Sequence, residues 1–271
     1  MPPDLRPRLD QDAAQLLAAL GDFSDLTFVR SWGNLGDDLI YAGLRRLLRH
    51  LPYREFSLHG KLDKIPYGDT AIVSGGGAWC RPYHAIANVF TEIEKHFRRV
   101  ILFPSSFDVA EPSVASVLAK TKAVIFARER CSYEQIRNLC DARLALDSAF
   151  FFDFAPYRDG FSHGVLNAFR NDAESTGAPI PSGNRDISLD CATLDEFLWT
   201  ISRHDLVRTD RAHVIIAAVM LGKQVEFRPS NYHKIPGIVD FSFEPGCVRQ
   251  MNPDDLIQVP KKATAGREWN S

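Results

Sequence analysis

Short apolar runs rich in Val, Ile and Phe recur along the chain and alternate with segments whose apolar residues return every three or four positions. The runs suit buried strands and the spaced segments suit amphipathic helices, so the alternation predicts an α/β chain of parallel sheet covered by helices. In the first half, strands fall at "LTFVR", "REFSL", "TAIVSGG", "RVILFP" and "KAVIFAR", with helices over 10–20, 37–50, 84–97, 111–120 and 131–140. That set makes one Rossmann-like domain. An aromatic stretch, "LALDSAFFFDFAPYRDGFSHG", then leads to a second, smaller set: "GVLNAFR", "RDISLD", "DLVRT" and "QVEFR" as strands, with helices over 193–203 and 211–222. The expected organisation is an N-terminal domain over 1–158, a C-terminal domain over 159–259 and a poorly ordered tail over 260–271. The polar segment "NDAESTGAPIPSGN" reads as a loop.

Composition acts mainly by exclusion. At 271 residues and 45% hydrophobic, the chain is long enough to bury a substantial core. A net charge of −2 gives no general affinity for nucleic acid, so any anion site must be local. The five cysteines show no CxxC spacing, which argues against a disulfide framework or a metal cluster and suits a reducing cytoplasm. No segment approaches the roughly 20 apolar residues that span a bilayer. Membrane contact is at most peripheral, through Arg45, Arg46 and Arg49 on helix 37–50, although a solvated face is the simpler reading of those arginines.

Ligands of open α/β sheets gather at the carboxyl ends of strands, and three loops there carry unusual residues. In "VRSWGNLGDD", Asn34 and Asp37 reach the crevice or else cap the following helix. In "AIVSGGGAWCRPYH", Gly75, Gly76 and Gly77 allow close backbone approach to a ligand, with Trp79 and His84 as possible sugar contacts. The third loop, "RTDRAH", puts Arg211 and His213 in the first turn of an apolar helix. Cations oppose the helix dipole at that end, so the placement is poor for stability. It suits an anion site in which Arg211 supplies a fork of donors and His213 an exchangeable proton. The structural alternative pairs Arg211 with Asp210 or Asp37 and buries His213 as a satisfied histidine.

"GNLGD" at 33–37, "SGGG" at 74–77, "ARERCSYEQI" at 127–136, "AFRNDAE" at 168–174 and "DLVRTDRAHVIIAAVMLGKQVEFRPSNYHK" at 205–234 occur in one order. In that order the chain resembles the polysaccharide pyruvyl transferase family. It differs in carrying Ala between Arg211 and His213, Glu129 where Asp is common, and "PSSFDV" after the fourth strand. The resemblance implies two Rossmann-like domains facing a cleft, similar to the GT-B glycosyltransferases, the second one small. It implies transfer of pyruvate from phosphoenolpyruvate to a sugar as a ketal, with phosphoenolpyruvate as co-substrate and no other cofactor. Arg211, Lys234, Arg170 and Arg128 would hold the donor, with His233 as an alternative to Lys234. His213 and Arg211 would be catalytic. Asn34, Asp37 and Gly75–Gly77 would hold a saccharide acceptor on the opposite wall, either free or lipid-linked at the inner membrane face. Two other readings stay open: a nucleotide-sugar glycosyltransferase, with Glu226 as ribose ligand, and a degenerate sugar-binding protein.

Overall fold

A computed structural model describes residues 5–59, 64–81, 83, 86–158 and 160–252. The chain runs α1 (Leu5–Ala18), β1 (Leu26–Arg30), α2 (Leu35–Leu48), β2 (Arg54–Ser57), β3 (Gly68–Val73), β4 (Gly76–Trp79), α3 (Ile86–His96) and β5 (Phe97–Phe107). It continues through α4 (Pro112–Leu118), β6 (Val124–Ala127), α5 (Arg130–Ile136) and β7 (Asp141–Leu144), then two 3-10 turns at Ser148–Phe151 and Ala155–Tyr157. The remainder is β8 (Val165–Ala168), α6 (Ile187–Asp190), α7 (Leu194–Ser202), β9 (Leu206–Thr209), α8 (Ala212–Met220), β10 (Gln224–Phe227), α9 (Lys234–Ser242) and β11 (Arg249–Gln250).

This is a mixed α/β architecture built on two parallel sheets. The first is 7-stranded, in the order β2-β1-β3-β5-β6-β7, with β4 also pairing to β5. Its order reverses between β1 and β3, the point where open sheets leave a crevice for ligands. Adjacent residues on each strand enter opposite cores. Phe28, Ile72, Ile101 and Phe126 face one buried cluster, whereas Val29, Val73, Leu102 and Ile125 face the other. A strand covered on both faces has no need of polar alternation, which is why these strands read as continuous apolar runs.

The second sheet is 4-stranded, in the order β11-β10-β9-β8. Leu166, Val207, Val225 and Phe227 enter the same cluster as Phe28 and Ile72, so one hydrophobic core joins both sheets. The helices α2, α7, α8 and α9 contribute to it from both halves of the chain. On the other face of the second sheet, alternate residues are polar: Asn167, Arg208 and Glu226, with Arg208 bonded to Glu226 at 2.8 Å.

Several expected elements change. "RDISLD" is a short helix, α6, and the strand "RVILFP" runs on to Phe107. The pairing of β5 with β6 shifts register between Leu102 and Ser105, which accommodates Pro104, a residue that cannot donate to a ladder. Three short strands, β4, β7 and β11, were not legible as apolar runs. Neither was α9, because "HKIPG" reads as a loop. Its Pro236 sits in the first helical turn, where no backbone donor is required. The predicted tail over 260–271 lies outside the described residues, as does His84.

Candidate functional site

The cleft is assembled from segments that follow strand ends in both sheets. Asn34 and Asp37 follow β1, Gly75 and Gly77 follow β3, and Arg128 follows β6. Arg170, Arg211 with His213, and Lys234 follow β8, β9 and β10 of the second sheet. All of them line one cavity of about 580 Å³, within the size range of sites that hold a small molecule. The loops after β1 and β3 are tied together. Ser31 donates its backbone N–H to Ser74 Oγ at 3.1 Å, and the Ser31 hydroxyl lies 3.2 Å from Tyr41 Oη.

The segment "RTDRAH" divides its charges between two tasks. Arg208 points to Glu226 on the outer face of the second sheet. Asp210 is structural: it accepts the Arg170 backbone N–H at 2.8 Å and an Arg228 donor at 2.8 Å. Arg211 and His213 face the cleft. Thr209 Oγ1 accepts the Arg211 backbone N–H at 3.0 Å and fixes the turn that aims both side chains. Arg211 therefore pairs with neither Asp210 nor Asp37. Its partners are Asp172 at 2.8 Å and Asp186 at 2.5 Å. Its Nε has no hydrogen-bond partner among the described residues.

The four cations expected for a donor come together, and each is already engaged by carboxylate. Arg170 bonds Asp172 at 2.8 Å and contacts Glu174, and Lys234 also contacts Glu174. Glu174 accepts a third bond from Tyr232 Oη. Arg128, fully buried, donates to Ser106 Oγ and to Asp147, both at 2.8 Å. Burial alone would raise the Asp172 and Glu174 carboxyls. Arg170 and Arg211 outweigh it at Asp172, Lys234 and Arg170 outweigh it at Glu174, and both stay below the usual carboxylate range. Burial lowers the Lys234 ammonium, partly offset by Glu174. None of these acidic partners was foreseen. Asp172 and Glu174 lay inside a stretch that reads as an ordinary polar loop.

His213 sits where the two sheets meet. Its Nε2 lies 3.5 Å from Asp147 Oδ2 and 3.4 Å from Arg128 Nη1, and a Cβ at Gly36 would come within 2.7 Å of its Nδ1. Asp147 was missed from the sequence. Burial would raise this carboxyl, but contact with His213 and Arg128 outweighs burial and holds it far below its ordinary range. A carboxylate so placed can orient the imidazole.

Asn34 and Asp37 line the cleft and also form a capping box for α2. Asn34 Oδ1 accepts the Gly36 N–H at 2.8 Å, and Asp37 Oδ2 accepts the Asn34 N–H at 2.9 Å. The glycine loop is not confined to a wall opposite the cations. A Cβ on Gly77 would lie 3.5 Å from both Arg128 Nη2 and Lys234 Nζ. Gly75 packs against the backbone of Pro104, and Gly76, with φ of +129°, makes the turn without lining the cavity. Trp79 is a core residue against Phe90 and Phe107, so the expected sugar contact there is lost. Trp32 and Tyr83, both 42% exposed, line the cleft instead. His233 turns away toward Glu129 and Ser132, leaving Lys234 in the cavity. Glu226 is held by Arg208 and Arg249 and does not line the cavity. Arg45 and Arg46 pair with Glu55 and Asp153, as a solvated helix face would.

No curated protein matches the chain. A crystal structure of a functionally uncharacterised protein from Klebsiella pneumoniae superposes with a TM-score of 0.73 at 22% identity, over 90% of this chain and 98% of that one, a likeness of fold. The sequence profile of the polysaccharide pyruvyl transferases matches residues 34–225, a span that contains Asn34, Arg128, Arg170, Arg211 and His213. The chain belongs to the polysaccharide pyruvyl transferase family.

Proposed function

We propose that the chain transfers pyruvate from phosphoenolpyruvate to a saccharide as a ketal. The observation that carries this reading is the convergence of Arg128, Arg170, Arg211, Lys234 and His213 on one cavity, with the Arg211 Nε donor unpartnered among the described residues. A donor bearing phosphate and carboxylate needs several cationic forks, and the arginines supply them in fixed geometry. His213, oriented by Asp147, delivers the proton that converts the enol carbon to a methyl group and makes C2 electrophilic. One sugar hydroxyl adds to C2, and inorganic phosphate departs with Arg211 and Arg128 stabilising its charge. A second hydroxyl then closes the ketal, and the two hydroxyl protons pass to His213 and to the departing phosphate. Trp32, Tyr83, Asn34 and Asp37 form the part of the cleft that accepts the sugar, with apolar faces beside hydrogen-bonding groups.

In this reading the two sheets form a GT-B-like pair about the cleft, with residues 1–158 on the acceptor side and 159–259 on the donor side. The acceptor is a precursor of an exopolysaccharide or cell-surface glycan, lipid-linked at the inner membrane face, and the protein is cytoplasmic. No helix among the described residues is long and apolar enough to cross a membrane. The matching of Arg170, Arg211 and Lys234 by carboxylates favours one second reading, a sugar-binding protein without turnover.

Thermal stabilisation by phosphoenolpyruvate, compared with UDP, GDP and phosphate at equal concentration, separates the readings, because a ligand bound only to the native state raises its stability. A selective shift that disappears in Arg211→Ala supports the transferase. A nucleotide-selective shift, or none with phosphoenolpyruvate, overturns it.

A further inference from the structure

Outside the cleft, three side chains of metal-ligating type meet between α5 and α9, two of them neighbours in sequence and the third from the far half of the chain. The ligand atoms of Glu129, Cys131 and His233 all lie within 4.8 Å of one another. We propose that they form a zinc site that pins the two halves of the molecule together behind the donor pocket. The distance in sequence between Cys131 and His233 explains why the spacing rules for cysteine and histidine motifs gave no sign of it.

The chemistry fits a borderline ion that takes sulfur, imidazole and carboxylate together. At tetrahedral angles, bonds of about 2.0–2.1 Å put nitrogen and oxygen about 3.3–3.4 Å apart. His233 Nε2 lies 3.5 Å from Glu129 Oε1, close to that edge already. A bond of about 2.3 Å to sulfur sets the other edges near 3.5–3.6 Å. Cys131 is exposed, so rotation about its side chain can supply the remaining closure. Gln135 Nε2 donates toward Cys131 Sγ at 3.6 Å.

Of the present partners of these groups, only the Ser132 Oγ contact to His233 Nε2 is given up on coordination. Glu129 caps α5 by accepting the Ser132 N–H, and a carboxylate keeps further lone pairs for a metal. Ser132 Oγ, 3.3 Å from His233 Nε2, also accepts the Phe107 N–H at 2.7 Å and keeps that bond if the imidazole coordinates. Neutral imidazole, one carboxylate and one thiolate balance a divalent cation. Binding therefore displaces the thiol proton, one per ion, and leaves a fourth position for water. Glu129 follows Arg128 and His233 precedes Lys234, so the ion would fix the backbone behind two cations of the cleft.

Cobalt titration of the full chain tests this without reference to pyruvyl transfer. One equivalent of Co²⁺ should give a thiolate-to-cobalt charge-transfer band together with the strong visible bands of tetrahedral coordination, and Zn²⁺ should bleach both. Cys131→Ser should abolish the charge-transfer band. Glu129→Gln and His233→Gln should each weaken binding by at least 100-fold, beyond the roughly 10–100-fold that loss of a supporting group costs. Zn²⁺ should also raise the melting temperature of the wild type and not that of Cys131→Ser. A missing charge-transfer band at one equivalent, or a band indifferent to His233→Gln, overturns the proposal.

Discussion

Glu174→Gln tests the electrostatic logic of the cleft most directly. The glutamate is 8% exposed and contacts Lys234 and Arg170, two of the cations assigned to the donor. A phosphate or carboxylate arriving at those cations comes to about 5 Å from the resident carboxylate. At an effective dielectric of about 20, two unit charges at that distance repel by about 3 kcal/mol. The amide is isosteric and uncharged, so the variant should bind phosphoenolpyruvate about 100-fold more tightly. Without ligand it should be less stable by about 1–3 kcal/mol, because hydrogen bonds to a charged acceptor are replaced by neutral ones. Calorimetric titration of both proteins with phosphoenolpyruvate gives the affinity ratio, and thermal melts give the stability cost. An affinity equal to or weaker than wild type would refute the reasoning, since Glu174 would then be a support for the cations and not their competitor.

Other expectations follow from the same geometry. His213→Ala should lower turnover by about 10²–10⁴-fold, the range for a positioned acid or base, with the fold unchanged by circular dichroism. Asp147→Asn should reduce turnover, because Asp147 orients the imidazole, and should tighten donor binding in the same sense as Glu174→Gln, because Asp147 is also the carboxylate partner of Arg128 at 2.8 Å; steady-state kinetics and calorimetric titration separate the two effects. Asp147, Asp172 and Glu174 are all held below the ordinary carboxylate range. Their contribution to stability is complete above the unfolded value of about 4 and is lost as the pH falls through the folded values. Melting temperatures measured from about pH 6 to 3 should therefore drop in the acid limb, less steeply in Asp147→Asn. Gly43→Ala should destabilise by about 1–3 kcal/mol in denaturant unfolding, because its Cβ would lie 1.9 Å from the Ser148 carbonyl oxygen, a backbone atom with little room to move.

The class of fold was legible because buried parallel strands leave apolar runs, and the cleft was legible because ligand groups follow such strands. Arg211 and His213 were found on that principle, whereas Arg128 and Arg170 came with the family resemblance. Lys234 was found through the family resemblance, since α9 itself begins with residues that read as a loop. What stayed hidden depends on side chains meeting across the fold. Asp147 sits in an aromatic stretch whose sequence suggests only a boundary. Asp172 and Glu174 carry the signature of solvated loop residues, yet Arg170 and Lys234 draw them inward. Trp79 and Trp32 show the limit from the other side: both follow strand pairings near the cleft, and only packing against Phe90 and Phe107 decides that Trp79 belongs to the core.

The hydrophobic cluster shared by both sheets has a mechanical consequence. Leu39 and Leu44 of α2 are buried with Ile215 and Ala218 of α8, and this seam lies next to the point where Gly36 meets His213. Swinging one sheet away from the other would expose that seam to water at about 25 cal/mol for every Å² uncovered. Wide hinge opening is thus a costly way to admit a substrate. The inexpensive motion is a local exchange of partners, in which Asp172 and Glu174 release their cations and an incoming anion takes their place. On the proposed function, the imidazole and the arginines stand in register before any ligand arrives, and substrate entry would wait on the breaking of a few ion pairs.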